Sequence, residues 1–182
     1  LGWFAEAQAP FVARGVLAST GMLVVETVRA LGASVDAGVF DADAVRLAGW
    51  REVPGVRILD TASGEEALEA MARRDAPRGM PLDLILVDPY DIFDRWSRLL
   101  PAALEAARRS AVLLYLYNKA PRGGGHERSY RAFRAALAKG LQEGKAAVAA
   151  VLGRIPSDAF LPRAWHEVLL AGPAAIVEAL RG

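Results

Sequence analysis

Two apolar runs near the C-terminus constrain the fold of this chain more than any other feature. Ala146 to Ile155 and Ala164 to Ala171 both read as strands, and only eight residues, Pro156 and Pro162 among them, lie between. A parallel crossover needs about a dozen residues or more, so these two strands must pair as an antiparallel hairpin.

Upstream, strands alternate with helices. Helical patterns over Met22 to Leu31, Ala42 to Trp50, Ser63 to Arg74, Phe93 to Arg109 and His126 to Glu143 separate strand-like runs at Ala33 to Phe40, Val56 to Leu59, Leu82 to Val87 and Ala111 to Tyr117. A short helix over Pro173 to Leu180 closes the chain. Ser19 or Thr20 suits the N-cap of the first helix and Gly32 its stop, while Pro101 must kink or divide the fourth. Residues Leu1 to Ser19, punctuated by Gly2, Pro10 and Gly15, read as an irregular lead-in. Such alternation implies a parallel sheet with helices on both faces. The expected architecture is one α/β domain over residues 1–182, a Rossmann-like, mostly parallel seven-stranded sheet with an antiparallel last strand. Its first strand is expected just before Gly2. This is the arrangement of the S-adenosylmethionine-dependent methyltransferase fold.

Composition narrows the function classes. With 53% hydrophobic residues in 182, the chain can bury one well-formed core. A formal charge of +1 gives no global attraction to nucleic acid or membrane, so any polyanion must be held by a local patch. Cysteine is absent, which excludes disulfides and thiolate chemistry. His126 and His166 are the only histidines and stand far apart, so no metal site is expected. Neither a GxSxG elbow nor a P-loop occurs. No apolar run reaches the roughly 20 residues of a membrane span, and the N-terminus lacks a signal-peptide layout, so a cytoplasmic, soluble protein without a membrane partner is the expectation.

Four segments resemble the bacterial 23S rRNA adenine-N6 methyltransferases, and more loosely the three-Cys-motif partner proteins. Asp88-Pro89-Tyr90 is similar to that family's Asp-Pro-Pro-Tyr turn with one proline missing. Phe4-Ala5-Glu6-Ala7-Gln8-Ala9 takes the place of its glycine-rich cofactor turn, and Thr61-Ala62-Ser63-Gly64 that of its adenine-contacting Ala-Asp-Gly. Val151 to Pro173 resembles its terminal hairpin. The resemblance implies S-adenosylmethionine as cofactor, with Phe4, Ala5 and Ser63 among its contacts, and adenine N6 in RNA, or less readily DNA, as the target.

The residues admit both a chemical and a plain reading. Asp88 could accept hydrogen bonds from an exocyclic amine, with the Pro89 carbonyl as a second acceptor and Tyr90 stacked on the flipped base. Equally, they could simply end a strand. Asp41, at the end of the second strand, suits a ribose-binding acid, with Asp43 able to replace it, or the N-cap of the helix that follows. Ser63 suits the adenine contact or, more plainly, a helix cap. Lys119, Arg122, His126, Arg128 and Arg131, with Arg134 beyond, gather charge beside the Gly123-Gly124-Gly125 loop, as a phosphate backbone requires, though a solvated helix face would look the same. The turn at Glu6 to Ala9 contains no glycine to let backbone approach a ligand. The first reading is an S-adenosylmethionine-dependent methyltransferase acting on a nucleic-acid base, which Asp88 and Tyr90 favour. The glycine-poor turn favours the alternative, a catalytically inactive methyltransferase-like domain serving as a binding or assembly subunit. A nucleotide-binding regulatory domain is a third reading.

Overall fold

Ala5 to Ala9 are residues that favour or tolerate helix, and in the computed structural model they lie within one, α1 (Gly2–Val12), where an irregular lead-in was expected. Gly2 stands at its first position, and Pro10, in its last turn, supplies no N–H for the Glu6 carbonyl. The helix ends in a Schellman motif. Gly15 has φ 74°, its N–H donates to the Val12 carbonyl, and the Val16 N–H returns to Phe11. The residues described are 2–16, 18–73, 84–89, 92–118, 125–144, 147–156 and 165–179. They divide into two compact units, Leu1–Thr61 and Ala62–Gly182.

The first unit continues with α2 (Thr20–Ala30), β1 (Ala37–Val39), α3 (Ala44–Ala48) and β2 (Val56–Ile58). Ser19 caps α2 by accepting the Met22 N–H, and Gly32 at φ 76° ends it in a second Schellman motif, as the sequence predicts. Leu23, Val25 and Trp50 are buried, and Gly21 of α2 lies beside the Trp50 ring. β1 and β2 run parallel, Ala37 facing Val56 and Val39 facing Ile58. Gln8, buried on α1, closes the link to α2. Its amide donates to the Ala18 carbonyl at 2.9 Å and accepts the Ala18 N–H at 3.0 Å.

The second unit contains α4 (Gly64–Arg73), β3 (Leu84–Val87), α5 (Ile92–Ala107), β4 (Ala111–Asn118), α6 (Gly125–Gly144), β5 (Ala147–Pro156), β6 (Trp165–Pro173) and α7 (Ala174–Ala179). Pro101 lies inside α5, which is one helix rather than two. The sheet order is β3-β4-β6-β5, with β3 and β4 parallel and β6 antiparallel to both of its neighbours. The expected hairpin is therefore present, and it carries a one-residue register shift between Val151 and Gly153. One sheet face supplies Ile85, Val87, Val112, Leu114, Leu116, Leu169 and Ala171 to the main core, which α5 and α6 cover with Leu99, Ala103, Phe133 and Leu137.

Among the described residues the expected seven-stranded sheet is not present: six strands form two sheets, of two and of four. β1 and β2 are three residues each and pair with one another, and the N-terminal segment contributes a helix. On the described residues β3 has β4 as its only strand partner.

Glu65, in the first turn of α4, ties that helix to α5. Arg95 grips it at both oxygens, with Nε to Oε1 at 2.7 Å. Burial pushes the Glu65 carboxyl up, but its own backbone amide, Arg95 and nearby Arg98 outweigh this, and it titrates below the usual glutamate range. A carboxyl depressed by folding contributes stability that is complete above its unfolded pKa, about 4.3, and is lost as pH falls through the lower folded value. Urea unfolding midpoints should therefore decline between about pH 4.3 and pH 3 more steeply in the native chain than in Glu65→Gln. Parallel declines would show that the pair is not coupled to folding.

Candidate functional site

The carboxyl end of the β3–β4 pair is where the sequence predicts chemistry, and the register fixes what lies there. Val87 pairs with Leu114, so β4 continues four residues past it to Asn118, which faces Trp165 of β6. Asp88 follows β3 directly and is exposed, and Pro89 is half-buried behind it. A buried strand thus delivers a carboxylate to solvent at the edge of the sheet. Tyr90 lies outside the described residues, as do Lys119 and Arg122.

α6 starts at Gly125, and its first half lies at this same end of the sheet. Tyr130 donates its hydroxyl to Glu167 Oε2 at 2.9 Å, and Arg134 approaches Oε1 at 3.4 Å. Glu167 pairs across strands with Leu116, two residues beyond the Val87–Leu114 pair and so about 6.6 Å further along the strand. His126 belongs to the first turn of α6 by its backbone. Arg128 and Arg131 are exposed on the helix, and Arg131 is paired with Glu127 one turn back. Arg128, Arg131 and Arg134 all stand on α6, and each is engaged: Arg131 by Glu127, Arg134 by Glu167, and Arg128 in contacts of its own.

Sequence reasoning did not single out Glu167 and Tyr130. Glu167 is buried to 4% exposure among Leu116 and Leu169 neighbours, an acid inside an otherwise apolar strand. That acid, and the Tyr130/Arg134 spacing of four on a helix, were the available signals.

The residues predicted to hold a methyl donor are shaped or occupied differently. Phe4 and Ala5 stand in α1, in helical backbone rather than the turn expected over Phe4 to Ala9, and Gln8 of that stretch is committed to Ala18. Asp41 is clamped by Arg46, Nε to Oδ2 and Nη2 to Oδ1 both at 2.9 Å, and also accepts the Asp43 N–H. The Arg46 guanidinium holds the Asp41 carboxyl below the usual carboxylate range, burial opposing and the Asp43 amide assisting. The cap of α3 is Asp43, which accepts from Val45 and Arg46, and not Asp41. Ser63 caps α4 and accepts the Glu66 N–H, while the Glu66 carboxylate accepts the Ala62 N–H, a reciprocal capping box. As arranged within their own units, these groups do not fit an adenosyl cofactor.

Among the described residues no group of three or more histidine or acidic side chains could hold a metal, and no helix is long and apolar enough to cross a membrane. No protein-family model matches the chain, and no curated protein matches it in sequence.

Proposed function

We propose that this chain binds single-stranded nucleic acid, RNA in preference to DNA, at the carboxyl end of the β3–β4 pair, as a binding or assembly subunit without methyl transfer of its own. One observation carries the reading. The contacts of Tyr130 and Arg134 with Glu167 bring the arginine-bearing half of α6 to the sheet end where Asp88 and Pro89 emerge. Cations for a phosphate backbone and an exposed acceptor for a base amine then share one edge. The commitments of Asp41 to Arg46 and of Ser63 to its helix favour the silent form over the enzyme.

A second reading is favoured by the exposed acid that ends a buried strand before a proline. In it the chain is an S-adenosylmethionine-dependent methyltransferase acting on adenine N6, with Asp88 accepting from the target amine. Thermal-shift titration with S-adenosylhomocysteine, alongside anisotropy of a labelled RNA, separates the two. RNA binding that weakens with salt and an unchanged melting temperature at millimolar ligand is the expected result. A ligand filling its site at about 100 times its dissociation constant would add about 2.7 kcal/mol. Such a shift, with labelled methyl transfer abolished in Asp88→Ala, would replace the first reading by the second.

A further inference from the structure

We propose that Arg134 is a preset phosphate contact, held in position from beneath by the buried carboxylate of Glu167. This rests on the nucleic-acid reading above. Glu167 has a side chain only 5% exposed, while that of Arg134 remains 38% exposed, so the pair spans from core to solvent. A buried carboxylate is costly, and here its oxygens are taken by Tyr130 and Arg134, both of α6. Nη1 of the guanidinium reaches Glu167 Oε1 at 3.4 Å, a single contact that restrains the side chain from the core side. Guanidinium carries five donors in a rigid fork, so a restraint at one of them leaves others for a phosphate and lowers the entropy lost when they engage it. Arg131 differs in kind: its side chain is 75% exposed and its partner, Glu127, is itself exposed and on the same helix. A free surface arginine must be ordered when phosphate binds, whereas Arg134 is already restrained in part by its contact with Glu167.

The height of Glu167 on the sheet gives the contact its direction. It lies two residues past the last β3–β4 rung, on the sheet face that α6 covers and at the end where Asp88 and Pro89 emerge. A strand whose base reaches Asp88 would have its backbone within the span of α6's first half.

The test is anisotropy of a fluorescein-labelled single-stranded RNA across a potassium chloride series, with native chain, Arg134→Ala, Arg134→Lys, Glu167→Gln and, as a control, Arg108→Ala at the opposite end of the sheet. Arg134→Ala should weaken binding about tenfold and lower the salt slope by about 0.7, one phosphate's share on a single strand. Glu167→Gln gives the sharper result. It removes a negative charge, so charge alone predicts tighter binding, whereas loss of positioning predicts several-fold weaker binding. Should that variant fail to fold, Arg134→Lys decides, because it keeps the charge and loses the fork: several-fold weakening supports the proposal and parity with the native chain overturns it. Tighter binding by Glu167→Gln, or an unchanged Arg134→Ala, overturns it while leaving nucleic-acid binding intact. No RNA binding by the native chain defeats the broader reading and this one together.

Discussion

Phe133→Ala should cost the Ala62–Gly182 unit about 3–5 kcal/mol, a large part of the roughly 5–15 kcal/mol that stabilises a typical domain. Phe133 is among the largest fully buried side chains, 1% exposed, on the α6 face that closes over the sheet. It meets Trp96 of α5 edge to face, with ring centroids 6.4 Å apart and planes at 69°. Truncation removes the ring's burial, that edge contact and the packing of three elements at one point, and the surrounding helices cannot collapse fully into the space. Urea unfolding followed by tryptophan fluorescence measures the loss. Phe133→Leu, which keeps more of the volume, should cost distinctly less. A cost below about 1 kcal/mol for the alanine variant would mean that α6 does not cover the core as described.

Gly55→Ala should be the most damaging small substitution in the first unit, at about 3 kcal/mol. Two penalties coincide there. Gly55 has φ 72°, and a methyl group added to it would stand 2.2 Å from the backbone carbonyl oxygen of Val35. A side chain could swing away, but a carbonyl moves only with its strand, and the Gly55 carbonyl accepts the Ala37 N–H at 2.8 Å as β1 begins. Relief of the clash would therefore loosen the start of the β1–β2 pair. Two other glycines separate the terms. Gly15 has φ 74° with open space around it, so Gly15→Ala should cost only the conformational part, about 1 kcal/mol. Gly49 has φ −63° and a nearest neighbour at 3.5 Å, so Gly49→Ala should be neutral or stabilising by about 0.4–1 kcal/mol. Thermal unfolding of the three variants should rank them in that order, and a Gly55→Ala no worse than Gly15→Ala would remove the clash from the account.

What was legible in the sequence was what depends on near neighbours. Ser19 and Gly32 bound α2 through contacts within five residues, and Ser63 with Glu66 closes a box within four, so their types and spacing suffice. The terminal hairpin followed from the length of its connection alone. α1 was not legible because Gly2 and Pro10 read as breakers, whereas Gly2 stands at the first position and the helix tolerates the bond that Pro10 omits near its end. The number of strands in a sheet was not legible, since a run such as Leu84 to Val87 specifies that it is buried but not how many neighbours it has. At the candidate site, Asp88 and the arginines of α6 were visible as residues. Their commitments were less so: Arg131 meets Glu127 at a spacing a helix makes obvious, while Arg134 meets Glu167 across 33 positions. Asp41, at the end of a parallel strand, suits a ligand-binding acid or a helix cap by sequence, and Arg46, five residues on, holds both of its oxygens.

The register shift in β5 has a consequence for how this chain behaves beside its own copies. Among the described residues β5 is the end strand of its sheet, ten residues long and largely apolar in sequence, the kind of edge on which other strands can template. The extra residue between Val151 and Gly153 interrupts the spacing of amides and carbonyls at mid-strand. The longest run in step is then Ala147 to Val151, five residues, which is short for a stable foreign pairing. The same insertion moves Arg154, rather than Gly153, into the position across from Glu167. A single added residue thus breaks the pairing pattern of the sheet's end strand and shifts by one which backbone position stands across from Glu167.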